Sequence, residues 1–174
     1  MRITQWGEYG VHCSLYIAQR TNEGVAAVSA AEIAESQRIA LQYTQQILQR
    51  LREGDVIKSV RGPRGGYLLA RPAEEITLLD ILVAAEGDSF ELICQSRPLS
   101  ETRCAPEAPC TLRPVWYGLR EHVNQYLKDY TLAGILEQFS CASGLVQISN
   151  NSKQDSFAET DECCSIQERA KLGS

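Results

Sequence analysis

The sequence predicts a mostly α-helical chain with one small β-hairpin wing, arranged as a winged helix-turn-helix and followed by a long helix. Three observations carry this expectation. A short helical stretch, Ala30 to about Ser36, and a second one, Leu41–Glu53, are separated by only a few residues. Two short runs, Val56–Arg61 and Tyr67–Ala70, alternate or are rich in β-branched residues, and they bracket the turn Gly62-Pro63-Arg64-Gly65-Gly66. Further on, residues 114–130 read as one long helix opened by Pro114, a residue whose fixed φ suits the first helical turn.

The elements follow in order. Residues 4–20 form a helix that is apolar around much of its circumference (Trp6, Tyr9, Val11, Cys13, Leu15, Tyr16, Ile17), so most of it should be buried. Ser29 is placed to cap the second helix, with Glu32 three residues on as a capping box. In the third helix Tyr43, Ile47, Leu48 and Leu51 recur at helical spacing, and Gly54 stands where the chain should leave it. Thr77 caps a fourth helix that Gly87 stops. Residues 88–112 lack periodicity and contain Pro98, Pro106 and Pro109. Thr131 caps a last short helix, 132–139. Residues 141–174, rich in Ser, Asn, Gln, Asp and Glu, should be mostly disordered. The expected organisation is therefore a winged domain at 1–72, an irregular loop and long helix at 73–140, and a tail at 141–174.

The 174 residues are 44% hydrophobic, enough for a real core. No apolar run reaches the roughly eighteen residues of a membrane span, and the N-terminus lacks a secretory leader, so the chain reads as cytoplasmic. The net charge of −5 hides a split. Residues 1–72 carry nine Lys/Arg and six Asp/Glu, while 73–174 carry eight and sixteen. The window 38–71 holds seven basic and two acidic residues. Phosphate contact needs a local basic patch, not a basic total. No nucleophile–base pair, phosphate loop or paired-carboxylate motif points to an enzyme.

Seven cysteines in a reducing compartment are not a disulfide framework. Cys94, Cys104 and Cys110 fall within seventeen residues of the irregular loop, which favours metal ligation or redox chemistry. Cys104 and Cys110 enclose Ala-Pro-Glu-Ala-Pro, a spacer stiffened by two prolines that could turn both sulfurs toward one centre. Cys13, on an apolar face, reads as core. Cys141, Cys163 and Cys164 read as tail thiols.

Several segments together resemble one family. Glu8-Tyr9-Gly10-Val11 in the first helix, the wing from Ser59 to Pro72, Glu75 to Leu82, and Pro114-Val115-Trp116 look like the IscR-type regulators. The likeness covers roughly residues 1–140. It implies a homodimer joined by the long helix, double-stranded operator DNA as partner, and an iron–sulfur cluster held by three cysteines after the wing.

In such a fold the third helix enters the major groove and reads base edges with its N-terminal residues, here Gln42, Tyr43, Thr44, Gln45 and Gln46. Glutamine pairs well with adenine. Arg61 and Arg64 on the wing are placed for the adjacent minor groove. Arg38, Arg50, Arg52 and Lys58 are candidates for phosphate contacts.

For the cluster, the resemblance implies a histidine three residues after the last cysteine as a possible fourth ligand. This chain has Arg113 there, which is always protonated and offers no lone pair. The resemblance also offers a ligand from the partner's first helix at the position of Glu8, and His12 lies one turn away on the same face. Two schemes stay open. In one, Cys94, Cys104 and Cys110 combine with Glu8 or His12. In the other, Cys104 and Cys110 hold one iron while Glu8 and His12 of the other subunit hold the second, which favours [2Fe–2S] over [4Fe–4S]. Two alternatives remain: a cluster-free regulator that senses through thiols or another metal, and an electron-transfer iron–sulfur protein.

Overall fold

The computed structural model describes residues 3–62, 65–87, 100, 102, 104–105 and 109–138. The elements are α1 (Gln5–Asn22), α2 (Ala30–Gln37), α3 (Leu41–Glu53), β1 (Ile57–Val60), β2 (Gly66–Leu69), α4 (Leu78–Glu86) and α5 (Arg113–Lys128). Residues 132–138 are also helical. The winged helix-turn-helix expected from the sequence is present: α2 and α3 are joined by a three-residue turn, and β1 and β2 pair antiparallel behind them. Ile57 stands opposite Leu69, and Val60 opposite Gly66. Tyr67 also exchanges both backbone hydrogen bonds with Val28, at 2.9 and 2.8 Å, which ties the wing to the entry of α2.

Local chemistry sets the helix ends. The Ser29 hydroxyl accepts from the Glu32 backbone N–H at 3.1 Å. The expected reciprocal half of a capping box is missing: the Glu32 carboxylate instead accepts from Arg20 at 2.9 Å and from the Tyr16 hydroxyl at 3.2 Å, fastening α2 to α1. The complete capping box lies at α4, between Thr77 and Asp80. α3 ends at Glu53 and Gly54 caps it, as expected, but without a left-handed turn at the glycine. Gly54 has φ −87°, and the left-handed residue is Asp55 at φ 56°. Glycine is required at 54 for space, because a Cβ there would lie 2.3 Å from the Ala84 Cβ on α4.

The core is continuous from α1 to residue 132. Ile17, Ile33, Ile47, Leu48, Leu51, Ile57, Ile76, Ile81 and Leu132 are fully buried in it. Each such side chain contributes about 1.5–3 kcal/mol of hydrophobic stabilisation. The start of α4 is held by a bridge in which the Leu78 N–H donates to Tyr130 O and the Leu132 N–H to Ile76 O. The long helix α5 contrasts with the rest: Leu127 is its buried residue, and Val115, Trp116, Tyr117, Leu119 and Tyr126 stand exposed. Trp6 lies against the core, whereas Trp116 does not.

Candidate nucleic-acid interface and cysteine site

The recognition helix α3 has two faces. Ile47, Leu48 and Leu51 point into the core, and Gln42, Gln45, Gln46, Gln49 and Arg52 point out. Gln42, Gln45, Gln46 and Gln49 follow the i, i+3, i+4, i+7 rule and form one amide-bearing surface. Gln49 was not among the expected readers, although its spacing from Gln42 marks it. Its amide donates to Glu53 at 2.9 Å. Leu41, 45% exposed at the first position of α3, adds an apolar contact beside the glutamines that no polar pattern reveals.

Of the expected base-readers, one faces inward and a second takes part in packing. Thr44 is fully buried, and its hydroxyl donates to Ala40 O at 3.2 Å, so it cannot reach a base. Tyr43 is half-buried in an aromatic cluster, 4.5 Å from Trp6 and 5.7 Å from Tyr9 between ring centroids. Burial, together with Tyr9 nearby, raises its hydroxyl above the usual tyrosine range.

The basic residues also divide. Arg38 occupies the turn between α2 and α3 at φ 55°, exposed. Arg52, Lys58 and Arg61 are exposed around α3 and the wing. Arg64, at the wing tip, lies outside the described residues. Arg50, also exposed, has contacts inside the chain besides. Its guanidinium carbon sits 4.2 Å from the centre of the Trp6 ring, and Nη1 donates to Ala85 O at 2.7 Å. Both partners lie within the protomer.

Cys104 and Cys110 are half-buried free thiols. The Cys104 N–H donates to Ser100 O at 2.9 Å, and the Arg113 N–H to Cys110 O at 3.4 Å. Arg113, which cannot ligate, works as a strut: its Nη2 donates to Ala105 O at 2.6 Å and reaches Cys104 O at 3.5 Å. Its guanidinium thereby braces the backbone at Cys104, while its backbone N–H holds the Cys110 carbonyl. Cys94, Cys141, Cys163 and Cys164 lie outside the described residues. Burial pushes the Cys13 thiol up to about 12, so it stays protonated and unfit to ligate. Glu8 and His12 are both exposed on one face of α1. Among the described residues, no three His, Cys, Asp or Glu side chains converge as metal ligands within one chain. The His122 Nδ1 is engaged with Gly118 O at 2.8 Å on α5. No described helix is long and apolar enough to cross a membrane.

A turn-linked helix pair with a paired wing, a glutamine-lined outer face and surrounding cations defines a DNA-binding transcription regulator, not an enzyme. More particularly, the chain belongs to the Rrf2 family, described as iron-dependent transcriptional regulators, whose model matches residues 3–138. An HTH-type transcriptional regulator of Neisseria meningitidis is 36% identical over 144 residues, 83% of this chain and 93% of that protein. The regulator IscR of Serratia proteamaculans is 35% identical over 136 residues, 78% of this chain and 79% of its own. Among solved structures, IscR of T. potens aligns with a TM-score of 0.60 at 27% identity over 88% of this chain and 94% of that one. CymR, the global cysteine regulator of B. subtilis, aligns with a TM-score of 0.61 at 25% identity over 79% and 98%.

Proposed function

We propose that this chain is a homodimeric transcription regulator whose affinity for operator DNA is set by an iron–sulfur cluster. The observation that carries the cluster is the pair of half-buried thiols, Cys104 and Cys110, presented from a backbone that Arg113 braces. Soft thiolates suit iron, and the donors present fit such a group. Glu8 and His12 add an oxygen and a nitrogen on one exposed face of α1. Cys104 and Cys110 of one subunit would hold one iron, and Glu8 and His12 of the other subunit the second, in a [2Fe–2S] centre at the subunit boundary. The bound cluster would supply a one-electron or assembly-state signal. The protein supplies placement: α1 carries Glu8 and His12 outward while its Trp6 and Tyr9 pack on α3. The exposed apolar side of α5 supports the dimer, because a row of Val115, Trp116, Leu119 and Tyr126 in water is a face suited to a second copy.

On DNA, α3 would lie in the major groove with Gln42, Gln45, Gln46 and Gln49 at base edges. Arg38, Arg52 and Lys58 would neutralise phosphates, with Arg61 and Arg64 at the minor groove. The test is the visible absorption spectrum, with iron and sulfide content, of protein purified without oxygen. Colour with about two irons and two sulfides per chain, lost in Cys104→Ala, supports the reading. Colourless, iron-free protein that reconstitution leaves unchanged ends the cluster half of it. One observation favours a second reading, a cluster-free thiol sensor: the likeness to CymR of B. subtilis, a global cysteine regulator, and to CymR of Staphylococcus aureus in its oxidised form.

A further inference from the structure

The first turn of α3 holds a side chain that neither the core nor the amide surface accounts for. Leu41, Thr44, Leu48 and Leu51 follow the i, i+3, i+7, i+10 spacing of one inner stripe. Thr44, Leu48 and Leu51 are fully buried, whereas Leu41 is 45% exposed. The stripe therefore leaves the core at its first residue. Ile39, two positions earlier, is half-buried against the core in its place. Leu41 stands among polar groups: Gln42 follows it, Gln45 lies one turn on, and all three are exposed. Arg38, exposed in the turn just before, places a cation at the same end of the helix. Helical side chains lean toward the N-terminus, so Leu41 reaches past the first turn, ahead of the amides.

We propose that Leu41 is a specificity-determining residue that recognises the 5-methyl group of a thymine in the operator, beside the base pairs met by Gln42 and Gln45. The inference rests on the reading that α3 lies in the major groove. On that edge of a base pair every group is a donor or an acceptor except the thymine methyl. The Leu41 isobutyl group can neither donate nor accept, so the methyl is the one feature there that it favours. Contact removes apolar surface of both groups from water. Glutamine cannot draw this distinction: its amide bonds to N6 and N7 of adenine, which pairs with thymine and uracil alike. At i, i+4 spacing the Cβ atoms of Leu41 and Gln45 are about 5–6 Å apart. Base pairs rise by about 3.4 Å, so Leu41 meets a pair one or two steps from the one that Gln45 meets. The two contacts are therefore separable along the duplex.

The experiment uses the full-length chain and a duplex selected from a random pool by the parent protein. Its thymines are replaced one at a time by uracil, which removes only the methyl, and affinity is measured by anisotropy at fixed salt. One thymine in each copy of the recognised sequence should cost about fourfold when replaced, equivalent to about 0.8 kcal/mol for one buried methyl-sized group. Leu41→Ala should bind uracil and thymine equally at that position. Leu41→Met keeps an apolar side chain of similar reach and should retain the discrimination. Cytosine followed by 5-methylcytosine at the same position completes the set: the added methyl should return about fourfold to the parent and nothing to Leu41→Ala. Both variants should fold, because the position is exposed and Ala and Met are strong helix formers. Parent protein that binds every uracil duplex as it binds the thymine one overturns the proposal without any variant, and so does Leu41→Ala that keeps the parent's discrimination. Gln45→Ala separates this inference from the groove reading. If Gln45→Ala loses its preference at one base pair while no thymine methyl matters, α3 reads DNA and Leu41 does not. If neither residue alters preference at any base pair, α3 is not the reader and both readings fall.

Discussion

Helices α3 and α5 carry similar sequence patterns and meet different fates. Both are strongly amphipathic, with apolar residues recurring at helical spacing among charges and amides. In α3 the apolar stripe, Ile47, Leu48 and Leu51, is fully buried against the protomer's own core, and the polar face is left exposed. In α5 the polarity of the problem is reversed. Leu127 is buried, while Trp116, Leu119 and Tyr126 are 40, 44 and 61% exposed. Periodicity reveals that a helix has an apolar face; it does not reveal which surface covers that face. For α3 the answer lies within the chain, and for α5 the account places it in a second copy.

The comparison can be broken most forcefully at α5. The double change Trp116→Glu and Leu119→Glu is expected to leave a folded monomer, because both residues are exposed, and to lower operator affinity by roughly 10²–10⁴-fold through loss of bivalent binding. Sedimentation and anisotropy on the same sample check this. A dimer that persists would place the subunit contact elsewhere. Next in size is the paired truncation of two leucines. Leu48→Ala should cost about 2–5 kcal/mol in denaturant unfolding, whereas Leu119→Ala added to the single change Trp116→Glu should cost under about 0.5 kcal/mol. Equal losses would erase the distinction between the helices.

Changes on the outer face of α3 are smaller and more specific. Gln45→Ala should weaken binding by about 1–3 kcal/mol at one base pair and leave the salt slope alone. Arg52→Ala should weaken binding to every sequence and reduce that slope by about 0.9. Interchanged behaviour would mean that the groups contact the duplex differently. The smallest effect at neutral pH belongs to Cys13. Its folded-state value, about 12, lies above the unfolded value of 9.0, so the unfolded chain loses its proton first. The contribution is fully present below pH 9.0 and fades as pH rises toward about 12. Cys13→Ala should therefore flatten the loss of stability across that alkaline window relative to the parent chain. Identical pH profiles would show that the thiol is not held neutral by burial.

Much of this architecture is legible in the sequence because it is written in local chemistry. Ser29 and Thr77 mark helix starts, the Gly62–Gly66 turn marks the hairpin, and the 47, 48, 51 spacing marks the inner face of α3. The glutamines were legible as an outer face for the same reason. What was not legible depends on partners distant in the chain. Arg50 reads as a surface cation and is one, but its contacts with the Trp6 ring and the Ala85 carbonyl are not written in its neighbours along the chain. Thr44 reads as a polar reader until its turn of helix is seen to face the core. Gly54 reads as a helix stop, but the space it must leave for Ala84 and the left-handed turn at Asp55 do not show in the pattern. Arg113 could be excluded as a ligand from its chemistry alone, but its role as a brace requires the carbonyl of Ala105.

The central claim is that the cysteine site governs DNA binding. Its most direct test is one operator titration performed twice on the wild-type protein: once with protein purified without oxygen and once after removal of its iron, at fixed salt. The isotherms should lie roughly 5–150-fold apart, and a Cys104→Ala, Cys110→Ala variant should follow the iron-free curve under both conditions. Superimposable isotherms from protein shown to carry iron and sulfide would contradict it.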